Sequence, residues 1–263
     1  MSINKVYLYT LLSSLLLLSI KAQAEVREFE VGDNPELRLE NIVGEVSVIA
    51  GNSNQILVDY KIEGEDVEVI FEQTGNGVAV KVAHPKKSGW FGSGNNHRVD
   101  FVIEVPITGR YALKSVSGGI DVAGVGGRVR LETVSGSIRV LESFGHLELR
   151  TVSGSIEMEK VQSADLVVNT VSGDIDYKDG DLSGESYVFS SVSGDISISF
   201  DNEASFRVRG NTVSGGVQID SDVKTEIFKN RYAGNQSFDG EYNGGKTGLN
   251  LSSVSGSIRL DAN

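Results

Sequence analysis

A six-residue phrase recurs along the chain and constrains the fold more than any other feature. It reads Thr-Val-Ser-Gly-Ser-Ile at residues 151–156, and six close variants occur elsewhere. The glycines of the seven phrases are Gly118, Gly136, Gly154, Gly173, Gly194, Gly215 and Gly256. Their spacings are 18, 18, 19, 21, 21 and 41 residues. A short period of this kind is typical of a solenoid.

Apolar residues occupy fixed positions on both sides of each glycine. Leu147 and Leu149 precede Gly154, whereas Ile156 and Met158 follow it, and the other copies match these columns. Apolar residues at a spacing of two predict half-buried strands, so each copy predicts a strand, a Ser-Gly corner and a second strand. We therefore predict an all-β fold, a parallel β-helix or β-solenoid of about seven to eight coils. The usual handedness of crossovers favours a right-handed coil.

Outward-facing positions offer a test of this stacking, because neighbours in a sheet should alternate in charge or be neutral. Three columns of the first repeats do alternate: Ala112, Arg130, Glu148; Lys114, Glu132, Arg150; and Asp121, Arg139, Glu157. In later repeats the columns lose their charge, at Val167, Val188, Asn169, Ser190, Ser197 and Gln218. This neutral face is either a docking surface or plain scaffold.

The two ends of the solenoid need covering, because an unpaired strand edge favours association with other chains. Residues 25–110 hold one degenerate repeat around Gly44 and four alternating segments, 55–62, 67–73, 77–83 and 98–105, which predict antiparallel hairpins capping the N-terminal end. Residues 111–263 hold the regular repeats, with an insertion at about 220–248. The C-terminal coil should form the other end, covered by that insertion or by a second subunit in a homo-oligomer.

The first 24 residues have the features of a secretory signal peptide. Lys5 precedes an apolar run at 6–20, and Ala22-Gln23-Ala24 offers a cleavage site. An uncleaved anchor is the alternative, but the run is shorter than the ~20 residues that cross a bilayer. We expect export to the periplasm, the cell surface or the medium, with no transmembrane segment in the mature chain.

The charge balance limits the class of partner. The chain has a net charge of −12, and removal of a segment containing Lys5, Lys21 and no acid makes it −14. This argues against nucleic acid or anionic lipid as the main partner. The chain has no cysteine, which excludes disulfides and a lipid-attachment cysteine.

The repeated Ser-Gly pairs do not predict catalysis. A nucleophilic serine needs a base within hydrogen-bond reach, and the chain has only His84, His97 and His146. We interpret the glycines as corner residues that supply positive φ, and we expect no catalytic residue and no cofactor. The small hydroxyl before each valine forms a further column. Strict alternation places the hydroxyl inside and the valine outside, whereas a bulge would reverse the valine.

Two features remain as candidate sites. Asp174 and Asp195 follow the glycine in successive repeats and are weak candidates for a hard cation, although turn-forming aspartates and no metal are the expectation. The segment 84–98 is basic in an acidic protein and carries the single tryptophan. It predicts a binding loop, or a loop that packs back on the sheet, with these candidate residues: Lys86, Lys87, Trp90, Phe91, His97 and Arg98.

The residues also resemble a known family, the bacterial adhesin-like proteins with β-strand repeats, which is a domain of unknown function. The resemblance rests on the opening at 41–46, on Glu104-Val105-Pro106, on Gly244-Gly245 and on the closing phrase at 253–258. It implies an exported, non-enzymatic β-solenoid that binds an unknown protein or glycan of the cell envelope. The alternative is a periplasmic scaffold in envelope stress signalling, and a remote one is a polysaccharide-active enzyme.

Overall fold

The fold is built from two long β-sheets. The computed structural model describes residues 23–51, 54–64, 67–83, 97–229 and 235–263, and the regular structure in these ranges is β-strand. One sheet has eleven strands and the other twelve; they are called sheet A and sheet B. Within the described ranges, no helix is long and apolar enough to cross a membrane. Most of the predicted signal peptide, residues 1–22, lies outside them.

The strands fall into three groups along the chain. The N-terminal strands are β1 (Gln23–Glu30), β2 (Glu36–Val43), β3 (Val46–Gly51), β4 (Gln55–Glu63), β5 (Glu68–Thr74), β6 (Gly77–Ala83) and β7 (Arg98–Pro106). The regular repeats form β8 (Thr108–Ser117), β9 (Ile120–Ala123), β10 (Gly126–Ser135), β11 (Ile138–Leu141), β12 (Phe144–Ser153), β13 (Ile156–Glu159), β14 (Gln162–Ser172), β15 (Ile175–Gly180), β16 (Ser186–Ser193) and β17 (Ile196–Phe200). The C-terminal strands are β18 (Phe206–Thr212), β19 (Val217–Ile219), β20 (Lys224–Lys229), β21 (Gln236–Tyr242), β22 (Thr247–Ser255) and β23 (Ile258–Ala262).

Each regular repeat gives one strand to each sheet, and like residues stack in parallel register. Leu131 lies beside Leu149 in sheet B, and Ile138 lies beside Ile156 in sheet A. Their side chains are almost fully buried between the sheets, which stabilises the fold by about 2 kcal/mol or more for each. The prediction of an all-β, solenoid-like fold is confirmed.

The corner glycines are needed for close backbone approach. A Cβ on Gly154 would overlap the carbonyl oxygen of Gly136 in the preceding repeat, and the other six corner glycines meet a glycine carbonyl in the same way. Gly154 has a φ of 153°, but several of the corner glycines, such as Gly136, lack a φ in the left-handed range. Contact between repeats, rather than positive φ alone, therefore excludes side chains here.

The N-terminal end differs in part from the prediction of antiparallel hairpins. β5 pairs antiparallel with β6, and β4 with β7. In addition, β6 pairs in parallel with β2, and β7 in parallel with β3, so the antiparallel pairs continue the two sheets, which the hairpin prediction did not include. The physical reason is that β6 and β7 stack on β2 and β3 as the strands of a repeat do. In space they lie outside the degenerate repeat β2–β3.

The C-terminal end also departs from chain order. β22 lies between β16 and β18, and β23 lies between β17 and β19. The repeat of Gly256 is thus inserted before that of Gly215, so the prediction that the C-terminal coil forms the exposed end is wrong. The prediction of a homo-oligomer through that coil assumed that the coil is exposed at the end, and this assumption does not hold.

Strand β21 pairs with the outer strand of the repeat of Gly215, and two ion pairs lie across this pairing. Arg209 Nε lies 2.8 Å from Asp239 Oδ2, and Arg207 Nη2 lies 3.3 Å from Glu241 Oε2. These contacts join β18 to β21, which is antiparallel to it, and β20 continues the sheet beyond β21. The predicted insertion therefore covers the end of sheet B, and β19 is the last strand of sheet A.

The core changes its composition at the ends. In the regular repeats it is built mainly from stacked leucine, isoleucine and valine. At the C-terminal end, Phe200, Phe206 and Tyr242 form a cluster with ring centroids 4.9 to 5.5 Å apart. At the N-terminal end, Tyr60 contacts both Phe71 and Phe101. Large rings thus close both ends of the core.

Candidate binding groove

The column of small hydroxyls faces inward and the valine that follows faces outward. Thr151 is only 4% exposed, whereas Val152 is 46% exposed. The Thr151 hydroxyl donates a hydrogen bond of 3.0 Å to the carbonyl oxygen of Gly136. The same bond recurs in the neighbouring repeats. Strict alternation therefore holds, and the hydroxyl ladder ties successive corners together.

The outward valines line up across sheet B as one exposed apolar row, which we call the valine ladder. In spatial order its members are Ile42, Val116, Val134, Val152, Val171, Val192, Val254 and Val213. Its valines are 43% to 50% exposed. At a strand spacing of about 4.8 Å, the row is roughly 34 Å long. Contiguous exposed apolar patches of this kind commonly mark interaction sites.

A groove of about 690 Å³ runs along the first five members of the ladder; we call it the valine groove. Ile42 and the first four valines form its apolar floor. Its wall consists of polar side chains two residues earlier on the same strands, together with one from β6: Lys81, Glu40, Lys114, Glu132, Arg150 and Asn169. An apolar floor with a polar wall is the usual construction of a binding site.

The charges of the wall neutralise one another. Lys114 Nζ lies 2.9 Å from Glu132 Oε2, and Arg130 Nη2 lies 2.5 Å from Glu132 Oε1. Lys81 Nζ lies 3.5 Å from Glu40 Oε2. Burial alone would raise the pKa of Glu132, but hydrogen bonds from Lys114 and Arg130 outweigh it and hold that pKa below its usual value. The wall is therefore nearly neutral near pH 7.

A ligand in the groove would contact side chains, because the backbone N–H and C=O groups there are already hydrogen-bonded. The floor of the groove lies inside sheet B, where every strand has neighbours on both sides. At the corners, the N–H of Gly136 donates to the carbonyl of Ser153, and the N–H of Gly154 to that of Ser172. Addition of a partner strand is excluded at such interior positions, because the backbone groups are already paired.

The predicted neutral face continues the groove along sheet B. Val167 and Val188 are half-buried neighbours, as are Asn169 and Ser190. Ser197 and Gln218, predicted to share this face, lie instead on sheet A, beside Arg259. Of the residues predicted to form the neutral face, those next to the ladder are therefore the four on sheet B.

The corner aspartates hold the backbone of the next repeat. The N–H of Asp195 donates to Asp174 Oδ1 at 2.8 Å, and the N–H of Ser257 donates to Asp195 Oδ1 at 2.7 Å. Each carboxylate therefore has a structural partner at its corner. In the described part of the chain, no group of three or more metal-ligating side chains is placed to hold an ion.

The predicted binding loop is only partly described. Lys86, Lys87, Trp90 and Phe91 lie outside the described residues. His97 and Arg98 lie at the start of β7, where Arg98 Nε is 2.8 Å from Asp100 Oδ1. On the other side of the loop, Lys81 and Val82 of β6 line the valine groove. The loop therefore begins next to one end of the groove.

Sequence reasoning missed the groove because the orientation of the valines was left open. The alternation of Leu149, Thr151 and Ile156 with charged residues contained the signal, since it places Val152 outside once no bulge is assumed. The sequence contained a weaker indication of how the last strands pair. Arg207 and Arg209 match Glu241 and Asp239 in antiparallel order.

Comparison with solved structures shows the fold. Three crystal structures, all named as putative, align over most of their length: an adhesin from Bacteroides fragilis, a lipid binding protein from Parabacteroides distasonis and a cell adhesion protein from Clostridium sporogenes. The first is 14% identical, covers 92% of this chain and 99% of its own, and has a TM-score of 0.51. The second is 15% identical, with coverage of 90% and 96% and a TM-score of 0.46. The third is 12% identical, with coverage of 92% and 100% and a TM-score of 0.41.

Comparison by sequence gives the family. No curated protein matches the chain. The family model of the Toastrack DUF4097 domain matches residues 108–261, which span the regular repeats and the C-terminal strands. The chain belongs to the Toastrack DUF4097 family.

Proposed function

We propose that this chain is an exported, non-enzymatic binding protein of the cell envelope, adhesin-like in its action, which holds a partner along the valine groove. The observation that carries the proposal is the exposed valine ladder itself. Eight apolar residues form one row on a protein that is otherwise strongly acidic. Residues 1–24 would direct export as a cleaved signal peptide.

The chemistry of the groove favours a partner with an uncharged, apolar surface. The wall charges are paired with one another, so they exert little net attraction on a charged ligand. The floor gains most from contact with other apolar side chains, because their burial removes both surfaces from water.

The spacing of the ladder further favours a partner made of stacked β-strands. A second row of side chains at about 4.8 Å stays in step with the ladder over its whole length. An α-helix repeats every 5.4 Å and drifts out of step by about 4 Å over seven intervals. We therefore infer a protein partner that presents its own apolar ladder, as in the dry interfaces between paired sheets.

The groove chemistry also supports a binding rather than a catalytic role. A general acid that works near neutral pH needs a raised carboxyl pKa. The pKa of Glu132 is instead lowered by Lys114 and Arg130. The loop that contains Trp90 begins beside the groove, and we propose that it adds contacts to the same partner.

The finer geometry of the scaffold is part of this proposal. We expect a right-handed winding and seven regular coils preceded by a degenerate one. Such a coil keeps the ladder straight enough to meet a second ladder along one line.

The test compares two triple variants of the purified protein in a co-sedimentation assay with envelope vesicles. Val134→Ser, Val152→Ser and Val171→Ser remove the apolar floor at exposed positions. The matched control, Val26→Ser, Ile49→Ser and Val102→Ser, changes three exposed apolar residues of sheet A. We expect the ladder variant to fold normally and to lose binding at least tenfold, whereas the control binds like the wild type.

A photo-reactive side chain at position 152 identifies the occupant. The proposal predicts cross-links to a β-strand segment of an envelope protein, with a second copy of this chain as the self-associating version. Cross-links to lipid or glycan, or equal binding by both triple variants, would contradict it. Recovery of the protein solely in the soluble periplasm would favour the scaffold role in envelope stress signalling.

A further inference from the structure

One outward column of sheet B breaks the charge alternation of its neighbours. Arg110 of β8 and Arg128 of β10 lie directly beside each other in parallel register. In the two adjacent columns, Lys114 is followed by Glu132, and Arg130 by Glu148. Like charges in direct opposition destabilise a sheet, so this pair needs an explanation.

No acidic side chain in the described ranges neutralises this pair. Neither Arg110 nor Arg128 has an ion pair with any residue in the described ranges. Glu36 lies beside Arg110 in register, but its Oε1 lies 2.6 Å from Arg38 Nε. His146 lies beside Arg128, and its Nδ1 lies 2.9 Å from Asp165 Oδ2 on the next strand. Among the described residues, the two adjacent guanidinium groups are therefore left without an ion pair.

A hollow of about 440 Å³ lies beside the two arginines. The small side chain of Ala112 leaves room between Arg38 and Arg130, its neighbours in register. The charged side chains that line the hollow are five basic and two acidic: Arg38, Arg110, Lys114, Arg128, Arg130, Glu36 and Glu40. This is a local excess of positive charge on a chain with a net charge of −12.

We propose that this hollow, which we call the arginine hollow, binds a phosphoryl group. Each guanidinium presents a rigid fork of N–H donors that fits one edge of an oxyanion. Two forks at the strand spacing of about 4.8 Å suit a tetrahedral group, which has several edges to offer. A carboxylate has two oxygens, whereas a phosphoryl group has three acceptor oxygens with which to bridge the two forks. A bound phosphoryl group also removes the repulsion between Arg110 and Arg128.

The inference does not rest on the proposed function, because it concerns a ligand of opposite character, although Glu40 and Lys114 line both the hollow and the valine groove. Arg110 precedes Val116 of the ladder by six residues, which is about 20 Å along an extended strand. The phosphoryl group could belong to a soluble phosphate compound or to a lipid headgroup, and the experiment separates these two sources.

The test uses the full mature chain and two kinds of probe. Inorganic phosphate is titrated by calorimetry against a chloride background of equal ionic strength. Phosphatidic acid vesicles in phosphatidylcholine are compared with phosphatidylcholine alone. Arg128→Gln removes one fork, and Arg139→Gln is the matched control in sheet A, where Arg139 lies between Asp121 and Glu157.

We expect wild-type protein to bind phosphate, phosphatidic acid vesicles or both, and Arg128→Gln to bind roughly tenfold more weakly. Arg139→Gln should bind like the wild type. Binding of vesicles alone assigns the hollow to a lipid headgroup, and binding of both probes assigns it to the phosphoryl group in general. Absence of binding to either probe overturns the proposal, as does equal binding by wild type and Arg128→Gln.

A stability measurement gives an independent readout. Arg128→Glu restores the alternation of charge in the column, so its melting temperature in phosphate-free buffer should exceed that of the wild type. Phosphate should raise the melting temperature of the wild type but not that of Arg128→Glu. If Arg128→Glu melts lower and responds to phosphate like the wild type, Arg128 has a purely structural role and the proposal fails.

Discussion

The regular middle of the solenoid and its two ends are stabilised in different ways. In the middle, strand pairs stack in the order of the chain, and the core is mainly leucine, isoleucine and valine, with Tyr177, Tyr187 and Phe189 in the later repeats. At each end, a strand pair from a distant part of the chain enters the stack out of order. β6–β7 lies outside β2–β3, and β22–β23 lies inside β18–β19. The middle is thus specified by short-range repetition, and the ends by contacts of long sequence separation.

The inserted position of β22–β23 keeps this strand pair away from the edges of the sheets. If the last repeat simply stacked at the end, β23 would be an open edge made of regular repeat sequence. Instead, β22–β23 has neighbours on both sides, and the antiparallel strands β21 and β20 extend sheet B beyond β18. Strands β20 and β21 do not have the repeat sequence, so this end of sheet B pairs less readily with the strands of another copy of the chain.

The largest effect is expected from a change at a corner of the middle region. In Gly154→Val, the new side chain overlaps the carbonyl oxygen of Gly136, which forces two repeats apart. We expect a loss of more than about 4 kcal/mol of unfolding free energy and a melting temperature lower by roughly 10 °C. Gly248→Val is the control, because a Cβ there is 3.6 Å from its nearest neighbour. A Gly154→Val protein that melts within a degree or two of wild type contradicts the corner assignment.

A core substitution in the inserted repeat should loosen the whole C-terminal end. Leu251→Ala and Leu149→Ala each create a cavity at a fully buried site and should cost about 2 to 5 kcal/mol. Hydrogen exchange should distinguish them. Leu251→Ala is expected to lower protection in β18 and β21 as well as in β22, because β22 joins those strands to the rest of sheet B. Protection loss confined to β22 would contradict the inserted order.

Within the hydroxyl ladder, Ser253 and Ser115 should respond differently to replacement by alanine. Ser253 donates a hydrogen bond of 3.2 Å to the carbonyl oxygen of Gly194. Ser115 Oγ has no hydrogen-bond partner in the described residues, since Asn41 Nδ2 donates to the Gly44 carbonyl that Ser115 would otherwise reach. Ser253→Ala should cost about 1 kcal/mol, and Ser115→Ala close to nothing, as measured by chemical unfolding. Equal costs would argue against the ladder.

The smallest effect concerns the pH dependence of the groove wall. The pKa of Glu132 is lower in the folded state than in the unfolded state. Its ion pairs therefore stabilise the fold above the unfolded-state pKa of ~4.3, and this contribution is lost as the pH falls through the lower folded-state value. Glu132→Gln should be less stable than wild type at pH 7, by under about 1 kcal/mol. The difference should disappear in acid, and a constant difference from pH 7 to pH 2 would disprove the assignment.

The sequence predicted the middle of the molecule well because each repeat there is surrounded by copies of itself. The columns of Leu149 and Ile156 and the charge order of Arg130 and Glu148 follow from one rule of parallel stacking. The ends could not be predicted in this way. The position of the repeat of Gly256 is defined by the pairing of β22 with β16, which is far away in sequence.

The candidate sites also differ in whether the repeat pattern of the sequence reveals them. The aspartates at the corners accept hydrogen bonds from the backbone of the next repeat, and their interpretation as turn residues stays a prediction. The arginine hollow was not found from the sequence. Its column lies eight residues before the glycines at Gly118 and Gly136, beyond the apolar positions that define the repeat. Only the register of β8 and β10 brings Arg110 and Arg128 together.

The valine ladder is one continuous surface because its last members lie in the spatial order Val192, Val254, Val213. The chain has no cysteine, so pairs of introduced cysteines report this order directly. Oxidation should join Val192→Cys to Val254→Cys, because neighbouring residues of a parallel sheet lie within disulfide reach. Val192→Cys and Val213→Cys, two strand spacings apart, should stay reduced. Efficient bonding of 192 to 213, with none between 192 and 254, would show that the repeats stack in chain order and would contradict this account.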